Sequence, residues 1–302
     1  MTLEPLRRLR HHLERRAALF SLIRRTFTGG GFLEVATDTA IPAPAPEEFI
    51  ESIPAGAKFL RASPEIAMKI MVCAGYEKIF QIGRCFRAEE YGSRHREEFT
   101  MLEYYATAWD YRKLADFTAK FIRKAAGDVV GNARLPFRGM EIDLDAEPEW
   151  ITVEEAFQRF CGISAAEASR EDRFDELMVT QIEPELGKGR MTFLADYPAE
   201  RASLARLKPE DPRYAERWEL YIAGLELANA FGELVDPVEQ RSRFEAAWEF
   251  RRSRNMLEYP VPEDFFAALQ SGMPFTSGGA LGLDRLVMVF CNAADIAEVR
   301  AE

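Results

Sequence analysis

The sequence predicts an α+β fold in which an antiparallel β-sheet is flanked by helices. Segments rich in β-branched and aromatic residues are typical of strands, and they dominate the middle of the chain: YEKIFQIGRCFR (76–87), EEFTMLEYYATA (97–108) and ELYIAGLELANAFGELV (219–235). Helix-like segments flank this centre. No repeating β-α-β order is present, so a parallel, doubly wound sheet is not indicated.

The remaining elements each have a local signal. A first helix is predicted over residues 5–28, because the triplet 29–31 is Gly-Gly-Gly and ends it. The prolines of IPAPAPEEF (41–49) exclude a helix or an inner strand, so this segment is predicted to be a loop. Further helices are predicted at 64–75, 110–126 and 237–255 and from LGLDRLVMVFC onwards, and further strands at FLEVAT and MTFLADYP.

Composition bounds what the chain can be. Its 302 residues are 47% hydrophobic and include 22 Phe, which suits one large domain over residues 1–302 with a helical insertion at 130–190. No segment approaches the ~20 uninterrupted apolar residues of a membrane span, and the N-terminus has no apolar export signal. The net charge of -11 argues against an extended nucleic-acid surface. Four cysteines without a CxxC pair favour a reduced, cytoplasmic setting, and three histidines disfavour a histidine-rich metal site.

The segment FRAEEYGSRHREEFTMLEYY (86–105) gathers cations and carboxylates between two predicted strands. Phe99, Glu103 and Tyr105 share one face of the second strand, on which Phe99 and Glu103 lie about 14 Å apart. Phe99 can stack on a base and Glu103 can bind a cation, while an anion can bind to the cations nearby, Arg87, Arg94 and His95. An amphipathic hairpin with surface ion pairs is the alternative interpretation.

A second pattern, GGALGLDRLVM (278–288), is predicted to be a glycine-rich turn that runs into a helix, with Asp284 and Arg285 at the helix start. Glycine allows a ligand to approach the backbone closely, and a helix N-terminus favours an anion. A turn of this kind also occurs for packing alone, so this pattern by itself leaves both interpretations open.

Together, these two patterns carry a family resemblance. FRAEE…RHREEFTMLEYY resembles motif 2 of the class II aminoacyl-tRNA synthetases, and GGALGLDRL resembles their motif 3. The detail is similar to lysyl-tRNA synthetase and, more closely, to the small paralogues that lysylate elongation factor P. The resemblance spans about residues 17–300 and implies the catalytic domain of that class, an antiparallel sheet flanked by helices. It also implies a homodimer through motif 1, where Asp38 stands in place of the usual proline.

The resemblance implies roles for the residues of motif 2. Arg87 would contact the carboxylate of the amino acid and the α-phosphate of ATP. Glu89 would accept a hydrogen bond from the exocyclic amine of adenine, and Phe99 would stack on the adenine ring. Arg94 and His95 would hold the terminal phosphates of the nucleotide.

Arg285 of motif 3 would clamp the nucleotide from its other side. Catalysis of this kind needs ATP but no nucleophilic side chain, because the substrate carboxylate attacks the α-phosphate directly. The protein positions the two reactants and neutralises the developing charge, which makes Arg87 and Arg285 the implied catalytic residues.

The segment ELYIAGLELANAFGELV contains a third constellation. If Ala223-Gly224 is a two-residue turn, Tyr221 faces Glu226, and Glu219 lies diagonally on the same face. Two carboxylates so placed would bind Mg²⁺ together with phosphate oxygens, as the matching glutamates do in the family. A β-bulge is needed to bring into the same cavity the residues that alternate out of phase with Glu226, namely Asn229, Phe231 and Glu233.

Other residues match the lysine site of the relatives. Those at Glu103, Tyr105 and Glu233 would bind the substrate ammonium, while Glu65 and Asn229 would help to hold its second amino group or its carboxylate. The complete implied amino-acid site comprises Glu65, Glu103, Tyr105, Asn229, Phe231, Glu233 and Ala280. The alternative interpretation of Glu233 is a solvated strand end.

Three features favour the protein-modifying paralogue over a tRNA synthetase. About thirty residues precede the motif 1 region GFLEVAT, which is too short for an anticodon-binding domain, so no anticodon recognition is expected. Ala202-Ser203 stands where the synthetases have Ser-Pro. Ala280 stands where the synthetases have glycine. In the protein-modifying paralogues this alanine accompanies a preference for (R)-β-lysine over α-lysine. The alternative interpretation is a change in packing that has no effect on selectivity.

The implied reaction is activation of (R)-β-lysine or lysine, with ATP and Mg²⁺, and its transfer to a lysine ε-amine of elongation factor P. One alternative is a truncated lysyl-tRNA synthetase paralogue that charges tRNA or another acceptor. A second is a non-catalytic amino-acid-binding regulatory protein, which is disfavoured because the chain retains Arg87, Glu226 and Arg285.

Overall fold

A nine-stranded sheet forms the centre of the computed structural model, which describes residues 3–301. The strands of this sheet and of two smaller ones are β1 (Leu33–Glu34), β2 (Ala40–Ile41), β3 (Ile53–Ala55), β4 (Lys58–Leu60), β5 (Lys78–Phe86), β6 (Glu98–Thr107), β7 (Arg134–Phe137), β8 (Met140–Asp143), β9 (Glu149–Thr152), β10 (Thr192–Pro198), β11 (Leu207–Lys208), β12 (Asp211–Ile222), β13 (Leu225–Gly232) and β14 (Thr276–Gly282). The order in the large sheet is β1-β5-β6-β14-β13-β12-β10-β9 with β11 beside β12, and the pairs are antiparallel except β1–β5 and β9–β10. The two small sheets beside it are β2-β4-β3 and β7-β8.

The helices surround this sheet, so the predicted α+β class is confirmed. Asp110 caps the third helix by accepting a hydrogen bond from the N–H of Lys113, and Asp236 caps the seventh, where Pro237 occupies the first helical position. Among residues 3–301, no helix is both long and apolar enough to cross a membrane. The α-helices are α1 (Leu3–Gly29), α2 (Glu65–Cys73), α3 (Tyr111–Ala125), α4 (Val153–Cys161), α5 (Ala165–Arg170), α6 (Phe174–Leu177), α7 (Pro237–Ser253), α8 (Glu263–Gln270) and α9 (Leu283–Cys291).

The two faces of the sheet have different partners. One face packs against α1, α3 and α9 and forms the main hydrophobic core, in which Phe80, Leu102 and Leu220 are fully buried. Residues one position along each strand point to the opposite face. On that side α2, α7 and α8 pack around a second cluster that includes Met68 and Phe265, and they leave space above the middle of the sheet.

The hairpin of β12 and β13 has the predicted turn and the predicted bulge. Ala223 and Gly224 both have positive φ, at 50° and 67°, as a two-residue hairpin turn requires. Tyr221 pairs with Glu226, but Leu220 pairs with Ala228, so one residue between them has no partner opposite. This bulge shifts the alternation along β13, and the side chains on either side of it reach the same face of the sheet.

The glycine-rich segment SGGALG is a strand, β14, and the predicted turn is therefore wrong. Its glycines leave room for neighbouring side chains. A Cβ at Gly278 would lie 2.5 Å from Oε1 of Glu233 and would overlap the ring of Tyr105, while a Cβ at Gly279 would lie 3.0 Å from that of Ala230. Close packing on both faces, and not a change of chain direction, explains these glycines.

The predicted helical insertion at 130–190 is helical only in its second half. Its first half contains β7, β8 and β9, and β9 extends the main sheet by pairing with β10. Helices α4 to α6 follow and pack on β10 and β12 through buried residues such as Phe157, Ala168 and Phe174. The segment after them supports the β12–β13 turn, because Gly187 and Leu186 accept hydrogen bonds from the N–H groups of Ala223 and Gly224, both at 2.8 Å.

Two nearby glycines provide a test of this support. Gly187 and Gly189 have similar positive φ values, 72° and 79°, but a Cβ at Gly187 would lie 2.6 Å from Cα of Ile222, whereas a Cβ at Gly189 would meet nothing within 4 Å. We expect Gly187→Ala to lower the free energy of unfolding by about 2–4 kcal/mol, since backbone strain and overpacking add. Gly189→Ala should cost only the strain, about 1–2 kcal/mol. Equal losses in urea unfolding would contradict close packing at Gly187.

Candidate active site

A cavity of about 700 Å³ lies on the sheet face opposite α1 and α3. The floor consists of β6, β14, β13 and β12, and one wall is the proline-rich loop 46–50. Further walls come from the segment 174–183 and from α7 at residues 243–247. The cavity is therefore enclosed by the sheet, the loop and the insertion together.

Residues paired across four neighbouring strands form the centre of the floor. Glu103 pairs with Ala280, Ala280 with Asn229, and Asn229 with Glu219, and all four line the cavity. Because neighbouring strands are ~4.8 Å apart, this row is about 14 Å long. The next row along the strands is Tyr105, Gly278, Phe231 and Arg217.

One end of the cavity is rich in carboxylates. Glu103 accepts hydrogen bonds from Oγ of Ser63 at 2.6 Å and from the hydroxyl of Tyr105 at 2.7 Å. Burial, and then the charge of Glu65, raises the pKa of Glu103 to about 8. Burial likewise raises the pKa of Glu233 to about 7. A cationic ligand at this end would favour the ionised form of these groups, because an opposite charge lowers the pKa of a carboxyl group.

The opposite end contains Arg87, which follows β5. Its guanidinium lies 5.1 Å from the centre of the Phe99 ring, and its Nη1 lies 3.7 Å from a carboxylate oxygen of Glu90. Its Nε is buried and has no hydrogen-bond partner within residues 3–301. Such a donor on a cavity wall is suited to an anionic ligand.

Arg285, at the start of α9, connects motif 3 to the motif 2 loop. Its Nη1 donates to the carbonyl of Glu226 at 2.7 Å and to the carboxylate at 3.2 Å, and its Nη2 lies 2.6 Å from Nε2 of His95. Burial and the charge of Arg285 lower the pKa of His95, so the neutral ring accepts this bond. Arg94 donates to the carbonyl of Gly224 at 3.2 Å. The predicted phosphate-binding residues therefore lie together.

The buried carboxylate of Asp284 determines where α9 begins. It accepts hydrogen bonds from Arg16 of α1 and from the N–H of Thr100 in β6, the latter at 2.8 Å, and Arg300 lies 3.5 Å away. Arg285 is the next residue. The position of its backbone is thus set by both the first helix and strand β6.

Glu219 and Glu226 fit a Mg²⁺ ion that also binds phosphate. Both carboxylates line the cavity, and burial together with the charge of Glu219 raises the pKa of Glu226. Glu219 accepts hydrogen bonds from Arg217 at 2.6 Å and from the hydroxyl of Tyr221 at 2.7 Å. Within the described residues, no group of three or more His, Cys, Asp or Glu side chains could hold a metal. Phosphate and water oxygens would have to complete the coordination.

Glu89 differs from the sequence expectation. It is exposed, has a positive φ of 65° and is not among the residues that line the cavity, whereas its neighbour Glu90 is. The N–H of Glu89 donates to the carboxylate of Glu97 at 3.0 Å. The structure therefore does not place Glu89 with the other predicted contacts of the nucleotide. All the other predicted site residues, for the nucleotide, the metal and the amino acid, line the cavity: Glu65, Arg87, Arg94, His95, Phe99, Glu103, Tyr105, Glu219, Glu226, Asn229, Phe231, Glu233, Ala280 and Arg285.

Three further charged residues belong to the site although the sequence analysis missed them. Arg217 alternates with Glu219 on β12, and Lys69 is one helical turn from Glu65, so spacing could have indicated both. Lys69 lies beneath the carboxylate-rich end and is fully buried. Glu47 lines the cavity from the proline-rich loop, where no periodicity predicts the direction of a side chain.

Comparison with known proteins places this geometry in a family. Residues 4–301 match the family described as tRNA synthetases class II (D, K and N). The chain belongs to this family. Like the relatives named below, this class II protein is an enzyme of the ligase type.

The named relatives fall into two groups. The chain is 38% identical to the elongation factor P–(R)-β-lysine ligase of Klebsiella pneumoniae and 37% identical to that of Proteus mirabilis, in each case over 96% of this chain and 94% of the relative. It is also 37% identical to the lysine–tRNA ligase of Dehalococcoides mccartyi, over 94% of this chain and 62% of that enzyme.

The raised pKa of Glu103 predicts a pH dependence of stability. An unfolded glutamate titrates near ~4.3, so between that pH and about 8 the folded state keeps a proton that the unfolded state has released. The free energy of unfolding should therefore fall as pH rises through this window. In Glu103→Gln, the decrease in the free energy of unfolding over this pH window should be smaller by at least about 1 kcal/mol. Urea unfolding from pH 5 to 8 tests this, with Glu98→Gln at the exposed end of β6 as the control. Parallel curves for the wild type and Glu103→Gln would contradict the assignment.

Proposed function

We propose that the protein activates a lysine-type amino acid, with (R)-β-lysine preferred, and transfers it to the ε-amine of a lysine on elongation factor P. The observation that carries this proposal is one cavity that joins a carboxylate-rich end to an arginine-rich end along the sheet. The names of the relatives that match 96% of this chain support the same activity.

The carboxylate-rich end would hold the amino acid. A lysine-type substrate has two ammonium groups, and charge-assisted hydrogen bonds to carboxylates suit both. Glu103, with Tyr105 beside it, and Glu233 would bind the side-chain ammonium. Glu65 and Asn229 would bind the second amino group, and Phe231 would pack against the aliphatic stem.

The arginine-rich end would hold ATP. The base would stack on Phe99, which requires the guanidinium of Arg87 to move towards the phosphates. Arg94 and His95 would bind the terminal phosphates, and a phosphate beside His95 would favour the protonated ring. Arg285 would hold the nucleotide from the side of α9.

Two displacement steps would follow. First, a carboxylate oxygen of the amino acid attacks the α-phosphorus of ATP, a P–O bond forms, and pyrophosphate leaves with the electrons of the bond that breaks. Second, the neutral ε-amine of the acceptor lysine attacks the adenylate carbonyl, and AMP leaves as the amide forms. Arg87 and Arg285 would stabilise negative charge on the α-phosphate in the first step.

Glu219 and Glu226 would hold Mg²⁺ together with phosphate oxygens. The ion would supply charge neutralisation on the nucleotide when bound. Arg217 and Arg285 lie against the same two carboxylates, at 2.6 and 3.2 Å, and would help to orient them.

The partner and the setting are part of the same proposal. Elongation factor P would be the macromolecular acceptor, and the enzyme would act in the cytoplasm as a homodimer.

ATP–pyrophosphate exchange tests the activation step. The purified protein is assayed with (R)-β-lysine, with L-lysine and without an amino acid, and we expect the fastest exchange with (R)-β-lysine. Elongation factor P and tRNA(Lys) are then added separately, and we expect amide formation on the protein alone. Exchange with L-lysine only, followed by charging of tRNA, would instead support a lysyl-tRNA synthetase paralogue. No exchange with either amino acid would contradict the proposal.

Arg87→Ala should reduce the kcat/KM of exchange by about 10²–10³, because a donor to the developing charge is lost. Arg84→Ala is the matched control, since Arg84 lies three residues earlier, on β5, but is half exposed and pairs with Glu98 at 3.3 Å. The thermal unfolding of both variants should stay close to that of the wild type. Exchange by Arg87→Ala at the wild-type rate would exclude the assigned role.

Ala280→Gly should shift selectivity towards L-lysine. Ala280 lies between Glu103 and Asn229 in the floor of the cavity, so its methyl group restricts where the backbone of the substrate can sit. One methyl group is worth ~1–3 kcal/mol in such a site, which corresponds to about a 5- to 150-fold change in the ratio of kcat/KM values. Ala230→Gly, on the core face of β13, is the control. An unchanged ratio would mean that Ala280 only fills space.

A further inference from the structure

Lys69 is a charged residue beneath the cavity that the proposed mechanism does not yet use. It is on α2, its side chain is 0% exposed, and its Nζ lies 2.5 Å from Oε1 of Glu65 and 2.6 Å from Oε2 of Glu233. A buried lysine is costly unless opposite charges compensate for its lost hydration. The two carboxylates provide this compensation.

The fold holds the three groups together without relying on their ion pairs. Lys69 follows Glu65 by one turn of α2, and Met68 and Val72 fix this helix in the second hydrophobic cluster. Glu233 is held by its backbone, because its N–H donates to the carbonyl of Thr276 at 3.0 Å. A change of the Lys69 side chain can therefore alter the charge here while the backbone stays in place.

The charges at this end need a cation. The groups that act on Glu233 come from several elements: Lys69 and Glu65 of α2, Glu103 and Tyr105 of β6, and Arg206, which precedes β11. Burial alone would lower the pKa of Lys69, but the charges of Glu233 and Glu65 outweigh it and raise that pKa, so the ammonium stays charged. The same ammonium opposes the effect of burial on Glu233.

We infer that Lys69 is a positioning residue: it orients Glu65 and Glu233, offsets their negative charge, and thereby makes the amino-acid end complementary to a substrate with two ammonium groups. Three carboxylates and one ammonium leave two negative charges when all are ionised. A lysine-type substrate brings two positive charges to them. The inference rests on the proposed function, and it assigns selectivity for diamino acids to a residue that does not line the cavity.

Removal of Lys69 has a definite electrostatic sign. Three carboxyl groups close together in a poorly hydrated space cannot all ionise, because each charge raises the pKa of the others. Without Lys69, the pKa of Glu233 would therefore rise further, and more of this carboxyl group would be protonated at neutral pH. A protonated acid has lost the negative charge that binds an ammonium, and only a higher pH would restore it.

The test is Lys69→Met in ATP–pyrophosphate exchange between pH 6.5 and 9. We expect the KM for the amino acid to rise about tenfold or more at pH 7 and to recover towards pH 9, since each pKa unit corresponds to a factor of ten. The KM for ATP and the kcat at saturation should change little. Lys69→Arg, which keeps the charge, should restore part of the affinity.

Lys124→Met is the matched control. Lys124 forms the same kind of pair one turn apart on a helix, with Asp128 at 2.7 Å, but it is half exposed and on α3, away from the cavity. Its exchange kinetics should equal those of the wild type at every pH. If Lys69→Met fails to fold, Lys69→Gln is assayed in the same way, because it removes the charge but keeps a polar side chain.

Two outcomes would overturn the inference while the proposed function stands: an unchanged KM for the amino acid at all pH values, or equal, pH-independent losses for amino acid and ATP. Thermal unfolding separates the two proposals if the wild type shows no exchange. Stabilisation of the wild type by (R)-β-lysine more than by 6-aminohexanoate, together with the loss of this difference in Lys69→Met, would support the inference and contradict only the proposed reaction. No stabilisation of the wild type by (R)-β-lysine would overturn both.

Discussion

The lateral pairing of β6, β14, β13 and β12 is the constraint on which the site depends. It places Glu103, Ala280, Asn229 and Glu219 side by side across the sheet. A slip of one residue in any of these strands would turn its contribution into the hydrophobic core and its apolar residues into the cavity. The core on the opposite face, with Leu102 and Leu220 fully buried, therefore also keeps the polar row in register.

The carboxylates of the cavity impose a second requirement, because each needs a nearby cation or donor. Glu219 has Arg217, Glu226 has Arg285, and Glu233 has Lys69. Arg285 and Lys69 come from α9 and α2, which pack outside the sheet, whereas Arg217 lies beside Glu219 on β12. The resting site is thus organised before a substrate arrives, and a ligand gains affinity because little reorganisation remains to be done.

Local sequence signals predicted much of the fold and of the site. A turn at Ala223-Gly224 was expected from the sequence, and a bulge after Glu226 was required for Glu226 and Asn229 to share one cavity; both are present. The strand at SGGALG was missed because glycine is usually a signal of a turn, and only the neighbouring side chains explain it here. Glu89 leaves the cavity because its positive φ breaks the alternation of the strand before it. Lys69 was not predicted to be a site residue, because its second partner, Glu233, is far away in sequence.

The opposite charges at the two ends of the cavity also give the enclosed space an electric dipole. An amino acid with a lysine-like side chain has an ammonium at one end and a carboxylate at the other, so it has a dipole of its own. In the field between Glu65 and Arg87, only one orientation of such a molecule is attracted at both ends, and the reversed one is repelled at both. The productive orientation is therefore favoured during approach, before any hydrogen bond has formed, and dissolved salt weakens this preference.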